Sequence, residues 1–195
     1  MLKATKIEEA GYEAALLGFG MAMKPRSAKL DEWWYIDKQL QVQKAAEKNA
    51  GRGKGHDKFL RMIQTWWHLD MTRFLSQEFA TYKVGTVTSS ASTMHRLCYE
   101  PLTIDSFYTD MLFIEDLKAL QNLIDRINVA IASNDLNRAK AMLPESYMLE
   151  QVWNANYAVL NCIISQRHNH RMAGWQHLIQ CFRDQVDHPE LLIQI

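Results

Sequence analysis

Ile7, Ala10, Ala14, Leu17 and Met21 recur at alternating three- and four-residue intervals, the spacing of one helix face, and predict a helix over residues 6–23. Pro25 closes it, because proline restricts its predecessor and donates no N–H. Trp33, Trp34, Ile36, Leu40 and Val42, followed by an Ala/Lys/Glu stretch, predict a second helix over residues 31–49, and Gly51-Arg-Gly-Lys-Gly55 then reads as a flexible loop. The pattern changes after it. Ile63, Thr65, Trp67, Leu69 and Met71 alternate with Gln64, Trp66, His68 and Asp70, the period of two expected of a strand. A short helix carrying Phe74, Leu75 and Phe79 is expected over residues 72–82, and the hydroxyl-rich residues 84–95 read as a loop with strand tendency. Beyond Pro101, Phe107, Met111, Ile114, Leu117, Leu120, Leu123, Ile124, Ile127 and Ile131 predict one long amphipathic helix to about Ala132, punctuated by Asn134 and Asp135. A shorter helix runs to Met142, Leu143-Pro144 breaks it, and helical runs over residues 147–166 and 172–186 complete the chain. The expected architecture is α/β in the α+β sense: one mostly helical domain over residues 1–195 with a small antiparallel sheet, without repeat or linker.

Composition narrows the function classes. Lys plus Arg is 22 and Asp plus Glu is 22, so no global field favours a polyanion, and no nucleic-acid partner is expected. Charge acts locally: residues 24–61 hold ten basic against five acidic side chains, a difference of plus five. With 48% apolar residues the chain is too hydrophobic to stay disordered. Cys98, Cys162 and Cys181 form no CxxC pair, so neither a disulfide framework nor a cysteine zinc site is written here, and a reducing compartment is expected. Glu8, Glu9 and Glu13 fall where a signal peptide would have its apolar run, and no segment reaches the ~18 uncharged residues of a membrane span. A cytoplasmic protein without a membrane partner is the expectation.

Several constellations invite chemistry. Gly51-Arg-Gly-Lys-Gly55 fits neither GxxxxGK followed by Ser or Thr nor GxGxxG after a strand, and a solvated loop accounts for it better. In Arg167-His168-Asn169-His170-Arg171, residues two apart point to different helix faces, so no metal site is expected there. Ser89-Ser90-Ala91-Ser92-Thr93 lacks a GxSxG elbow, but with Met94-His95-Arg96 behind it an anion site becomes plausible, since arginine offers a bidentate fork. Six tryptophans in a helical domain point first to core and interface, and second to a stacking platform.

Read together, these pieces resemble the flavin-dependent thymidylate synthase family. Ala139-Lys140-Ala-Met-Leu143-Pro144, then Trp153, Asn156, Leu160 and Arg167, is similar to that family's A-R-x-x-L-P segment, aromatic helix, Asn, and Arg eleven residues later; Lys140 stands where the family has Arg. Ala173-Gly174-Trp175-Gln176 sits where the family has Ala-Gln-Trp-Glu, with only the Ala and the Trp kept. Gly55-His56-Asp57-Lys58-Phe59-Leu60 before the strand is similar to His-x-Ser-x-Phe-Glu-His, and Gln77 or Glu78 precedes Tyr82-Lys83 where the family has Gln and then Arg-His-Arg. The signature RHRxxSxNExSxRY falls on residues 81–95 with one extra residue. Two of its Arg, its Asn-Glu pair and its Arg-Tyr end are absent, and Lys83, the serines and His95 or Arg96 stand in. The resemblance is clearest over residues 55–190.

The resemblance implies a fold like that of thymidylate-synthase-complementing proteins and a flavin-dependent methylation, or related one-carbon modification, of dUMP. It implies FAD as cofactor, with NADPH and methylenetetrahydrofolate as co-substrates, and a homotetramer that builds its sites between subunits. By the same likeness His56, Lys83 and Asn156 would bind the flavin. Ser90, Ser92, Arg96 and Arg167 would bind the nucleotide, with Arg167 polarising the pyrimidine as the catalytic residue. Such chemistry needs orientation and stabilisation of developing charge rather than a protein nucleophile. Two other readings stand beside it: a catalytically silent descendant serving as a nucleotide-binding or interaction module, and a helical assembly protein whose likeness to the family is accidental.

Overall fold

A computed structural model describes residues 2–53 and 55–194; it is 55% helical with one four-stranded antiparallel sheet, the α+β architecture the sequence predicts. The strands are β1 (Lys3–Ala10), β2 (Gln64–Thr72), β3 (Thr86–Ser90) and β4 (Met148–Asn156), in the order β1-β2-β4-β3. The helices are α1 (Tyr12–Gly20), α2 (Leu30–Trp33), α3 (Ile36–Asn49), α4 (Arg73–Phe79), α5 (Thr93–Tyr99), α6 (Ile114–Ala132), α7 (Leu136–Met142), α8 (Tyr157–Arg167) and α9 (Ala173–Gln185). No helix among the described residues is long and apolar enough to cross a membrane.

The chain divides into two compact units. The first comprises Met1–Ala4, His68–Thr81 and Thr88–Val152. Its core brings Leu97 of α5, Leu120, Ile124 and Ile127 of α6 and Ala139 of α7 together with Phe107. The second comprises Thr5–Trp67, Tyr82–Val87 and Trp153–Ile195. There α1 packs on α3 and α8 on α9, and Trp67 and Trp153 close on Phe182 with ring centroids 4.8 and 5.8 Å apart. Trp67, Trp153 and Trp175 are all buried, so these three belong to the core rather than to an open stacking platform. The buried indole N–H of Trp67 donates to Thr65 Oγ1 at 2.8 Å, and that hydroxyl donates to the Ala155 carbonyl at 2.9 Å, so this part of the core leaves no polar atom unpaired.

Four sequence expectations need correction. The helix expected over residues 6–23 is β1 up to Ala10 and α1 only from Tyr12. Gly11 at φ 96° separates them, and a Cβ there would meet the Met62 carbonyl oxygen, so the corner requires glycine. The helix expected over residues 147–166 begins as β4: Gln151, Trp153 and Ala155 are buried while Val152 is exposed, a period-two pattern inside a segment whose apolar spacing also suits a helix. The long helix starts at Ile114 rather than Phe107, because Phe107 pairs with Tyr147 in an isolated bridge and the Asp116 carboxylate accepts from the Phe113 N–H to start α6. The second helix breaks after Trp33. Elsewhere β2, α4, α7 and α9 lie where the pattern placed them, and Asn134 takes the left-handed conformation its punctuating role requires.

Candidate functional site

Helix α8 organises the best-formed polar cluster of the second unit. Asn156 caps it, its Oδ1 accepting from the Val159 N–H at 3.1 Å. The next residue, Tyr157, fixes the start: its buried hydroxyl donates to Glu9 Oε1 at 2.6 Å and accepts from the His188 N–H at 3.2 Å. Burial, reinforced by that carboxylate, pushes the Tyr157 phenol far above its usual range, so it stays protonated. Further along, Asn161 holds the C-terminal segment, donating to the Leu191 carbonyl at 3.0 Å and accepting from the Ile193 N–H at 2.9 Å.

Arg167 ends α8. Asn156 is the cap and Arg167 the last residue of the same unbroken helix, about 16 Å apart along its axis. The last-turn carbonyls of Ile164 and Ser165 are met by His168 Nδ1, at 3.3 and 3.1 Å. Arg167 reaches aromatic rings instead. Its Nε donates to the Tyr82 hydroxyl at 3.0 Å, and its guanidinium lies 4.9 Å from the Trp175 centroid and 5.8 Å from that of Tyr82. The Tyr82 hydroxyl donates onward to Gln166 Oε1 at 3.2 Å, and its ring meets Trp175 edge-on at 5.9 Å. Among the described residues no carboxylate pairs with Arg167. A half-buried cation held through Nε, with its terminal N–H groups uncommitted, is suited to a carbonyl, an amidate or a phosphate.

The segment from Tyr82 to Thr86 follows α8 between its two ends. Thr86 Oγ1 donates to the Tyr82 carbonyl at 2.6 Å, and Gly85, at φ 77°, would place a Cβ 2.8 Å from Asn156 Nδ2. Only glycine lets the backbone pass the cap amide so closely. Lys83 stands on this segment and is exposed. His56 is exposed in the glycine-rich loop, where its N–H donates to the Gly53 carbonyl at 3.1 Å. The Gly53 N–H already donates to Asp57 Oδ2 at 2.9 Å, in keeping with a loop satisfied by its own carboxylate; Lys54 of this loop lies outside the described residues.

Ser90, Ser92 and Arg96 belong to the first unit. Ser90 ends β3 and is exposed, whereas Ser92 caps α5, its Oγ accepting from the His95 N–H at 3.4 Å. Arg96 forms an ion pair with Glu150. The cleft beside them, about 170 Å³, is also lined by Asp70, Glu100, Asp105 and Tyr147. Burial, and after it the Glu150 carboxylate, raises the Asp70 carboxyl above its usual range. The sequence expectation of an arginine free for an anion therefore meets an arginine whose charge is already answered. Tyr82, Gln166 and Gly85 were not singled out as site residues by the sequence. An isolated glycine beside Thr86 was the only local signal for Gly85, and nothing local marks Gln166.

No protein-family model matches the chain, and no curated protein does. Solved structures do. The crystal structure of thymidylate synthase X from Helicobacter pylori with FAD and dUMP superposes with a TM-score of 0.79 at 15% identity, covering 98% of this chain and 97% of that one. A second structure of the flavin-dependent enzyme from the same organism, complexed with FAD and dUMP, gives 0.78 at 14%, covering 97% of each chain. The UMP/dUMP methylase PolB from Streptomyces cacaoi, bound with 5-Br dUMP, gives 0.69 at 9%, covering 94% of this chain and 89% of that one. The likeness extends over nearly the whole chain, including the N-terminal part that lacked motif resemblance, and the chain has the fold of the flavin-dependent thymidylate synthases.

Proposed function

We propose that this protein binds a flavin and a uridine monophosphate and methylates dUMP, with methylenetetrahydrofolate as carbon donor and NADPH as reductant. The observation that carries the reading is Arg167: a cation without a carboxylate partner among the described residues, held by Tyr82 and Trp175, on a fold whose solved examples hold FAD and dUMP. Arg167 would present its terminal N–H groups to the pyrimidine and stabilise negative charge developing there. The flavin fits the donor set of the second unit. Asn156 Nδ2 is left over from capping, and exposed Lys83 and His56 supply a point charge and an imidazole without moving a core residue. When bound, reduced FAD supplies the hydride that this chemistry needs, so the chain need offer no nucleophile. Ser90 adds a free hydroxyl, while Ser92 and Arg96 contribute to a phosphate only by leaving His95 and Glu150.

That last condition favours a second reading, the catalytically silent descendant. With Arg96 paired to Glu150, the first unit offers a nucleotide phosphate less charge than the family pattern implies. Turnover separates the two readings: both allow nucleotide binding, and only the first allows dUMP to be methylated. The first reading also includes a homo-oligomer, a tetramer by the family's habit. Exposed Phe113, Met111 and Ile36, at 78%, 73% and 73%, are apolar surface that such an assembly would cover. Light scattering that returned a 22.7 kDa monomer across micromolar concentrations would remove this part.

The flavin assignment is tested by retention. Purified protein is expected to be yellow, and Lys83→Ala to raise the FAD dissociation constant about three- to tenfold, as loss of one exposed charge-assisted contact should, with the fold intact by circular dichroism. Unchanged FAD affinity in that variant would return Lys83 to the solvated surface.

A further inference from the structure

We propose that Tyr82 is the positioning residue for Arg167, an inference that rests on the reading of Arg167 as the pyrimidine-binding group. A free arginine side chain loses rotamer freedom when a ligand fixes it, and a site avoids that loss at binding by fixing the chain beforehand. Two contacts on Arg167 do this, and a third bond supports one of them. The Tyr82 phenol takes the Nε–H at 3.0 Å, Trp175 lies under the guanidinium at 4.9 Å, and Gln166 Oε1 takes the Tyr82 proton at 3.2 Å. The last bond sets the phenol's direction. Its proton points to Gln166, which leaves the oxygen's lone pairs for Arg167. Nε is the one guanidinium nitrogen outside the terminal fork, so a clamp there orients the fork without consuming it. Trp175 is fully buried and fixed by the core, whereas Tyr82 comes from the segment that follows α8, and its hydroxyl is the only hydrogen-bond acceptor that the described residues offer to the Arg167 side chain.

A purely structural tyrosine would predict something different. Its ring would matter for packing and its hydroxyl would not. Tyr82→Phe keeps the ring against Trp175 and removes only the acceptor, and Gln166→Ala, at an exposed position, removes the partner that orients the hydroxyl. The ligand-free readout is the Arg167 Nε–H resonance in ¹H–¹⁵N spectra. It is expected to be protected from solvent exchange in the wild type, lost to exchange in Tyr82→Phe and intermediate in Gln166→Ala. The second readout is dUMP affinity by calorimetry on the FAD-loaded protein. Tyr82→Phe is expected to weaken it about five- to tenfold and Gln166→Ala about twofold, with FAD affinity and thermal midpoint nearly unchanged. Wild-type dUMP affinity in Tyr82→Phe, with the Arg167 resonance still protected, overturns the positioning role. Absence of dUMP binding by the wild type while the resonances shift as expected overturns instead the nucleotide reading of the site, and the two failures are thereby told apart.

Discussion

Arg167→Ala is expected to lower dUMP affinity by at least about tenfold, equivalent to roughly 1.4 kcal/mol, while leaving the fold in place. Hydrogen bonds that involve a charged partner contribute about 1.5–3 kcal/mol each. Arg167 brings terminal N–H groups from a half-buried position beside the Trp175 ring, where charge is screened less than at an open surface. The variant loses the fork, and Tyr82 loses only a donor to an oxygen that still donates to Gln166. Stability falls through the lost cation–π contact by about 0.5–1 kcal/mol, a shift of a few degrees. Arg167→Lys restores charge but not the planar fork and should recover only part of the affinity. Calorimetry on the flavin-loaded protein reads both variants, and equal dUMP affinity in wild type and Arg167→Ala would remove Arg167 from the site.

The largest expected effect on stability is at Trp67. Its side chain is fully buried at the centre of the second unit, edge-on to Phe182, with its N–H on Thr65. Trp67→Ala opens a cavity and leaves the Thr65 hydroxyl without its donor, at a cost of about 3–5 kcal/mol. Against a total stability of about 5–15 kcal/mol this is a large fraction, and at roughly 2–4 °C per kcal/mol for a chain of this size the midpoint should fall by about 6–20 °C. Urea unfolding checks it: the midpoint moves and the slope stays. Trp67→Phe, which keeps most of the packing, should lose less. A midpoint within 2 °C of the wild type in Trp67→Ala would contradict the packing described for Trp67, Trp153 and Phe182.

The elements legible in the sequence are those where one period is unopposed. Alternation from Ile63 to Met71 has no helical competitor and became β2, and the apolar stripe from Ile114 to Ile131 became α6. Where two periods overlap, the sequence misleads. Trp153, Tyr157 and Leu160 fall at helical spacing, yet Trp153 stands on β4 and the other two on α8, and the switch comes at Asn156, a residue that caps as readily as it interrupts. Ile7 and Ala10 likewise continued a helical spacing across Gly11, whose backbone conformation ends β1.

The candidate site was legible through the family resemblance rather than through chemistry. Asn156 and Arg167 were named because that family has an Asn and an Arg eleven residues apart, and here they sit at the two ends of one helix. The hydrogen-bond partner of Arg167 is a different matter: Tyr82 is 85 positions away in the chain, and a phenol that accepts from a guanidinium leaves no periodic trace. Arg96 was legible as a residue but not as a partner, because Glu150 is 54 positions away on another element.

The central claim is that this fold still serves a uridine nucleotide, and the most direct measurement is titration of wild-type protein with dUMP in a calorimeter, with and without FAD. The account predicts saturable binding that strengthens when FAD is present. No heat of binding at millimolar dUMP under either condition would contradict it.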